Sequence, residues 1–137
     1  MTTIFIDTNA YVAFKRGTPA VLEVLHRAQH ICLSSIVVGE LMAGFVTGTR
    51  TDTNIQELQQ FLAIAKVSVT PVDAQTSIHY AHIYRQLRTQ GRPIPRNDLW
   101  IPATTIQHHG RLLSFDQHFS HIEGLIVGDS AHPLGLQ

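Results

Sequence analysis

Short runs of β-branched and apolar residues alternate along this chain with stretches whose apolar residues recur every three or four positions. No other feature restricts the fold as much. Thr3–Ile6, Ile31–Ser34 and Lys66–Thr70 read as buried strands, each followed by a turn or a helix signal, and Arg111–Phe115 and Leu125–Val127 read as two more. Between them, Val21, Leu22, Val24, Leu25 and Ala28 give one helical face behind Pro19, and Ser35–Phe45 is apolar nearly all round. Asn54–Ala65 is amphipathic, and Asp73 caps a long helix that stops at Gly91 and Pro93. Asn97–His109 is the last helix, ended by Gly110. Strands separated by helices predict an α/β fold on a mostly parallel sheet. With 137 residues there is room for one core. Residues 1–128 are expected to form that domain, and 129–137, with Pro133 and Gly135, an irregular C-terminal tail.

Ten basic residues balance ten acidic ones, which disfavours a general, charge-driven nucleic-acid binder. No apolar run approaches the ~20 residues of a membrane span, so no membrane association is expected. The start, Met1-Thr2-Thr3-Ile4-Phe5-Ile6-Asp7, has no basic flank and does not read as a signal peptide. The single cysteine, Cys32, lies in an apolar stretch and suits a reducing cytoplasm. Specific function must therefore lie in particular side chains.

Six of the ten acids have ordinary structural readings: Glu23 and Glu57 on polar helix faces, Asp52 and Asp73 as caps, Glu123 and Asp129 in turn-like contexts. The other four stand out. Asp7 ends the first strand, either as a helix cap or where a parallel sheet places its ligands. Glu40 lies in a helix expected to be buried, where a carboxylate must be protonated, ion-paired or bound to a metal. Asp98 starts the last helix, where Asn97 is already available as the cap, and Asp116 follows the fourth strand. Four carboxylates in one crevice repel one another and need a cation. An all-oxygen site suits Mg²⁺ or Mn²⁺, which promote phosphodiester hydrolysis.

The segments Phe5-Ile6-Asp7-Thr8-Asn9, Ser35-Ile36-Val37-Val38-Gly39-Glu40-Leu41 and Asn97-Asp98-Leu99-Trp100-Ile101-Pro102-Ala103 carry three of these acids. Leu112-Leu113-Ser114-Phe115-Asp116-Gln117-His118-Phe119 and Ile122-Glu123-Gly124-Leu125 complete an ordered set. Over residues 3–127 the set resembles the PIN-domain ribonucleases, most closely the VapC-type toxins of bacterial toxin–antitoxin pairs. The resemblance implies a three-layer α/β/α domain with Asp7, Glu40, Asp98 and Asp116 around Mg²⁺ or Mn²⁺. It implies cleavage of structured RNA, such as transfer RNA, by water activated at the cation. Thr8, Asn9 and Ser114 match polar positions that orient carboxylates, water or phosphate. It further implies a cytoplasmic homodimer held inactive by a small cognate antitoxin lying in an apolar groove.

Two positions depart from the family pattern. Pro102 is expected just past the first turn of a helix capped by Asn97, where it would kink that helix. Phe115 stands where a polar or basic residue is common and bears on RNA contacts near Asp116. Among nine histidines, the pairs His26/His30, His79/His82 and His118/His121 have one-face spacing, but no cysteine or acid completes a zinc site. Arg85, Arg88, Arg92 and Arg96 lie in a stretch without acids, either a solvated face or a phosphate path, with Arg96 leading to Asp98 as a substrate-positioning candidate. Lys15 and Arg16 are placed to extend that path, and no interleaved aromatic residue points to base stacking. The helices from Ser35 to Ala65 carry more apolar surface than a small core needs, which suits a partner helix.

Other readings compete. A haloacid-dehalogenase-type phosphatase needs a second aspartate where Asn9 stands, and a receiver domain needs paired acids after the first strand and a late lysine, whereas the last lysine is Lys66. A housekeeping PIN-type nuclease and a catalytically silent PIN-type binding module remain as alternatives.

Overall fold

In the computed structural model, which describes residues 2–137, β1 (Thr3–Ile6) is the central strand of a five-stranded sheet. On one side lie β2 (His30–Ser34) and β3 (Val67–Thr70), on the other β4 (Arg111–Leu113) and β5 (Val127–Gly128), in the order β3-β2-β1-β4-β5. Every pairing is parallel. Ile4, Phe5, Ile6, Ile31, Leu33, Leu112 and Leu113 are all exposed by 2% or less, so both faces of the central strands are covered. Six helices flank the sheet: α1 (Thr8–Lys15), α2 (Pro19–Arg27), α3 (Ser35–Thr47), α4 (Thr51–Leu62), α5 (Ala74–Thr89) and α6 (Trp100–Gln107). The layering is α/β/α, as expected. No helix among the described residues is long and apolar enough to cross a membrane.

Local chemistry explains most boundaries. Pro19 opens α2, where its missing N–H is not needed. The Lys66 ammonium donates to the carbonyls of Leu25 (2.6 Å) and Ala28 (2.9 Å) and so closes the carbonyl end of α2; β3 starts one residue later than expected. Asp73 and Thr76 form a reciprocal capping box at the start of α5, and the hydrogen bond from Gln107 holds the Asp73 carboxyl below its ordinary range. A lowered folded-state pKa contributes stability that is lost as pH falls through it. Asp73→Ala should therefore lower Tm at pH 7, with the difference closing below about pH 4 in thermal melts across pH.

Four local expectations are corrected. Helix α1 was not visible in the sequence. Helix α4 begins at Thr51 behind Arg50, so Asp52 lies in its first turn rather than capping it. Asn97 is not a cap: Arg96–Leu99 is a 3-10 turn, and Pro102 falls third in α6. At that place its absent N–H is one of those that no helix satisfies internally, so the expected kink has no cause. Beyond α6, the left-handed residue is His109 (φ 55°), not Gly110, which is glycine for want of space: a β-carbon there would stand 2.5 Å from the Phe5 ring. Residues 129–137 contain turns only, yet Ala131 and Leu134 are buried in the core.

Candidate active site

The chain order reverses at β1, since β2 and β3 extend the sheet one way and β4 and β5 the other. In such a sheet the crevice beyond the carboxyl ends of the diverging strands is where ligands bind. Asp7 is the first residue past β1, and its N–H donates to the Leu113 carbonyl at the end of β4 (3.3 Å). It is buried, 6% exposed, and one oxygen accepts from the Ala10 N–H at 2.8 Å, which caps α1. Asp7 thus caps α1 and at the same time stands at the crevice where the other reading expects it.

Asp7, Thr8, Asn9, Glu40, Ala43, Asp98, Ile101, Asp116 and Phe119 line one depression of about 470 Å³. The structure brings all four singled-out acids together, each from a different element. Asp7 starts α1, Glu40 comes from α3, Asp98 from the 3-10 turn before α6, and Asp116 from the turn after β4. The expected burial of Glu40 is corrected. Only Val37 and Leu41 of α3 are fully buried, and the face carrying Gly39, Glu40, Ala43 and Gly44 is exposed. An apolar helix need not be a buried one, and Glu40 has water and the Thr8 hydroxyl, which donates to it, in place of a buried ion pair.

Asp7 feels its surroundings. Burial raises the Asp7 pKa, and the charges of Asp116 and Glu40 raise it further, against the Ser114 hydroxyl and the Ala10 N–H, which lower it. Ser114 is buried behind the depression, where its oxygen accepts from the Asp116 N–H at 3.0 Å. One Asp116 oxygen also meets the His118 N–H and ring Nδ1, both at 2.9 Å.

Not every candidate joins this crevice. The Arg96 guanidinium lies over the Tyr84 ring, 5.4 Å from its centroid. Lys15 pairs with Glu57, which takes it out of a phosphate path. No group of three or more His, Cys, Asp or Glu among the described residues is already gathered as a metal cage, and this includes the three histidine pairs. Ile101 and Phe119, the apolar walls, were missed in the sequence; the signal was their spacing of three residues from Asp98 and Asp116.

The family model of the PIN domain matches residues 4–125. This chain belongs to the PIN-domain family. A PIN-domain relative, Ribonuclease VapC2 of Haemophilus influenzae, is 30% identical over 107 residues, 75% of this chain and 78% of that one. Ribonuclease VapC5 of Mycobacterium tuberculosis is 24% identical over 119 residues, 87% of each chain. Among solved structures, the VapBC2 complex of Rickettsia felis bound to a promoter DNA fragment contains a chain that superposes with a TM-score of 0.81. That chain is 26% identical, and the match covers 93% of this chain and 98% of that one. In PIN-domain terms, the ordered acidic segments of the sequence fall at one end of the sheet, around the strand pair β1 and β4.

Proposed function

We propose that this chain is a Mg²⁺- or Mn²⁺-dependent endoribonuclease that hydrolyses phosphodiester bonds in structured RNA, and that it acts as the toxin of a toxin–antitoxin pair. The observation that carries this reading is the convergence of Asp7, Glu40, Asp98 and Asp116 on one depression. The donor set is all oxygen, as a hard divalent cation requires, and the mutual repulsion felt at Asp7 favours a cation there. Asp7, Glu40, Asp98 and Asp116 would hold it. When bound, such an ion neutralises phosphate charge and promotes water attack.

The remaining residues act on orientation. Thr8 fixes the Glu40 carboxylate by its hydroxyl, and Ser114 fixes the backbone at Asp116. Asn9, exposed at the rim, offers an amide to phosphate oxygens. Ile101 and Phe119 form an apolar wall against which a ribose can rest.

The test is cleavage of a labelled transfer RNA and other folded RNAs by the purified chain. Excess EDTA should abolish it and added Mg²⁺ or Mn²⁺ should restore it. Activity undiminished by EDTA overturns the metal assignment, and no cleavage of any RNA favours the silent binding module.

The partner is read from α3, where Val46 is 60% exposed and Met42 and Phe45 are half-buried. An amphipathic segment of a small antitoxin would cover this surface, and a basic residue on it would be drawn to the four carboxylates. The chain itself is proposed to form a homodimer. Expression alone should slow bacterial growth, and co-expression of the adjoining small gene should restore it. A monomeric, harmless chain would instead be a housekeeping nuclease.

A further inference from the structure

Another cavity, of about 360 Å³, is lined by Tyr84, Leu87, Arg88, Gly91, Pro93, Ile94 and Leu99. Leu99 lines this cavity, and Asp98, the preceding residue, lines the acidic depression. The floor of the Tyr84 cavity is apolar, with Leu87 and Leu99 exposed by 2% or less. At its mouth Tyr84 stands between two guanidiniums. Arg96 lies over the ring with an N–H 3.4 Å from the phenol oxygen, and Arg96 first, then Arg88, holds the Tyr84 phenol below its ordinary pKa of 10.

The charges here are uncompensated. The ion pairs among the described residues are Lys15–Glu57, Arg27–Glu23 and His118–Asp116, so none involves Arg85, Arg88, Arg92 or Arg96. A guanidinium has five N–H donors, and a single long contact to Tyr84 leaves most of those on Arg96 uncommitted. A purely structural latch would not need the open, apolar-floored slot beside it. A flat aromatic ring next to planar cations, above such a slot, matches a nucleobase with its attached phosphate.

We propose that this cavity is a nucleotide subsite for the RNA strand, in which Tyr84 stacks a base and Arg88 and Arg96 hold the neighbouring phosphate. The inference rests on the ribonuclease reading and adds to it a place where unpaired RNA is gripped, joined in sequence to the acidic depression at Asp98–Leu99. Tyr84 meets Arg96 in space, although no aromatic interleaving in the sequence points to base stacking.

The experiment titrates the intact chain in EDTA with a fluorescent single-stranded RNA oligomer and with an abasic oligomer of the same length. Stacking predicts tighter binding of the base-containing strand by roughly 5- to 150-fold. Tyr84→Ala should erase that difference, while Tyr84→Phe, which keeps the ring and loses the hydroxyl, should retain it. Arg88→Gln, on an exposed position, should weaken both strands and flatten the salt dependence. In cleavage assays Tyr84→Ala should raise KM with kcat little changed. Equal affinity for the two oligomers overturns the proposal, as does stronger competition by an acidic peptide than by RNA. Base-dependent binding without any cleavage would leave the subsite standing and remove the ribonuclease reading. Cleavage with a KM indifferent to Tyr84→Ala would do the reverse.

Discussion

Asp7→Asn is expected to reduce RNA cleavage by about 10²-fold or more, because a lost charge-assisted contact of roughly 3 kcal/mol corresponds to that factor. The same substitution should make the metal-free protein more stable. Asn can still cap α1 through its side-chain oxygen, so what is lost is chiefly a buried charge beside Asp116 and Glu40. The pKa of Asp7 is raised in the folded state, so folding favours its protonated form. The penalty for ionising it is fully present above the raised value and absent below the ordinary 3.8. In EDTA, Asp7→Asn should raise Tm by a few degrees, about 1 kcal/mol, at pH 7, and the gain should vanish in acid. With Mn²⁺ present the order should invert, since the wild type alone gains from binding the ion. A variant that cleaves normally, or that unfolds at neutral pH without metal, contradicts this account of the site.

Gly110→Ala should be among the most damaging single-methyl additions in the chain. Its β-carbon would stand 2.5 and 2.6 Å from two ring carbons of Phe5 and 3.3 Å from the Thr3 carbonyl. Phe5 cannot retreat easily. It is 2% exposed, sits in the central strand, and its ring stacks on His108 at 6.2 Å. Overpacking of this kind costs about 1–3 kcal/mol, which thermal or urea unfolding will read as a lower midpoint. Cleavage should fall as well, because Phe5 lies two residues before Asp7. Combining Gly110→Ala with Phe5→Leu should recover part of the loss, and the double-mutant cycle isolates the clash. If Phe5→Leu makes no difference to the cost of the alanine, the steric explanation fails.

The strands were readable because a sheet covered on both faces leaves continuous runs of apolar and β-branched residues, as in Thr3–Ile6, and this needs no knowledge of the neighbours. The grouping of the four acids was readable for a related reason. Asp7 and Asp116 follow strands that run parallel, and parallel strands open their carboxyl ends on the same side. What depended on tertiary placement was less visible. Glu40 lies on an apolar helix whose outer face is simply not covered within the chain, so composition pointed to burial where there is exposure. Helix α1 is short and buries only Ala10 and Tyr11 completely, too few to set up a period. The 3-10 turn at Arg96–Leu99 replaced the expected cap, and it moved Asp98 into the crevice and Pro102 into a harmless position. The meeting of Tyr84 with Arg96 spans twelve positions and a turn, which no local pattern announces.

The position of β1 in the sheet has a bearing on how the chain is made. It comes first of the five strands in chain order, yet it is flanked by β2 from early in the sequence and by β4 from late in it. Asp7 and Glu40 are present early, but Asp98 precedes β4 by only a single helix and Asp116 comes after it. A nascent or prematurely terminated chain therefore exposes one unpaired edge of β1 and an incomplete set of carboxylates. The full set comes together only when β4 docks against β1. A fragment cut before Arg111 lacks that strand and Asp116 with it, so it carries at most three of the four carboxylates.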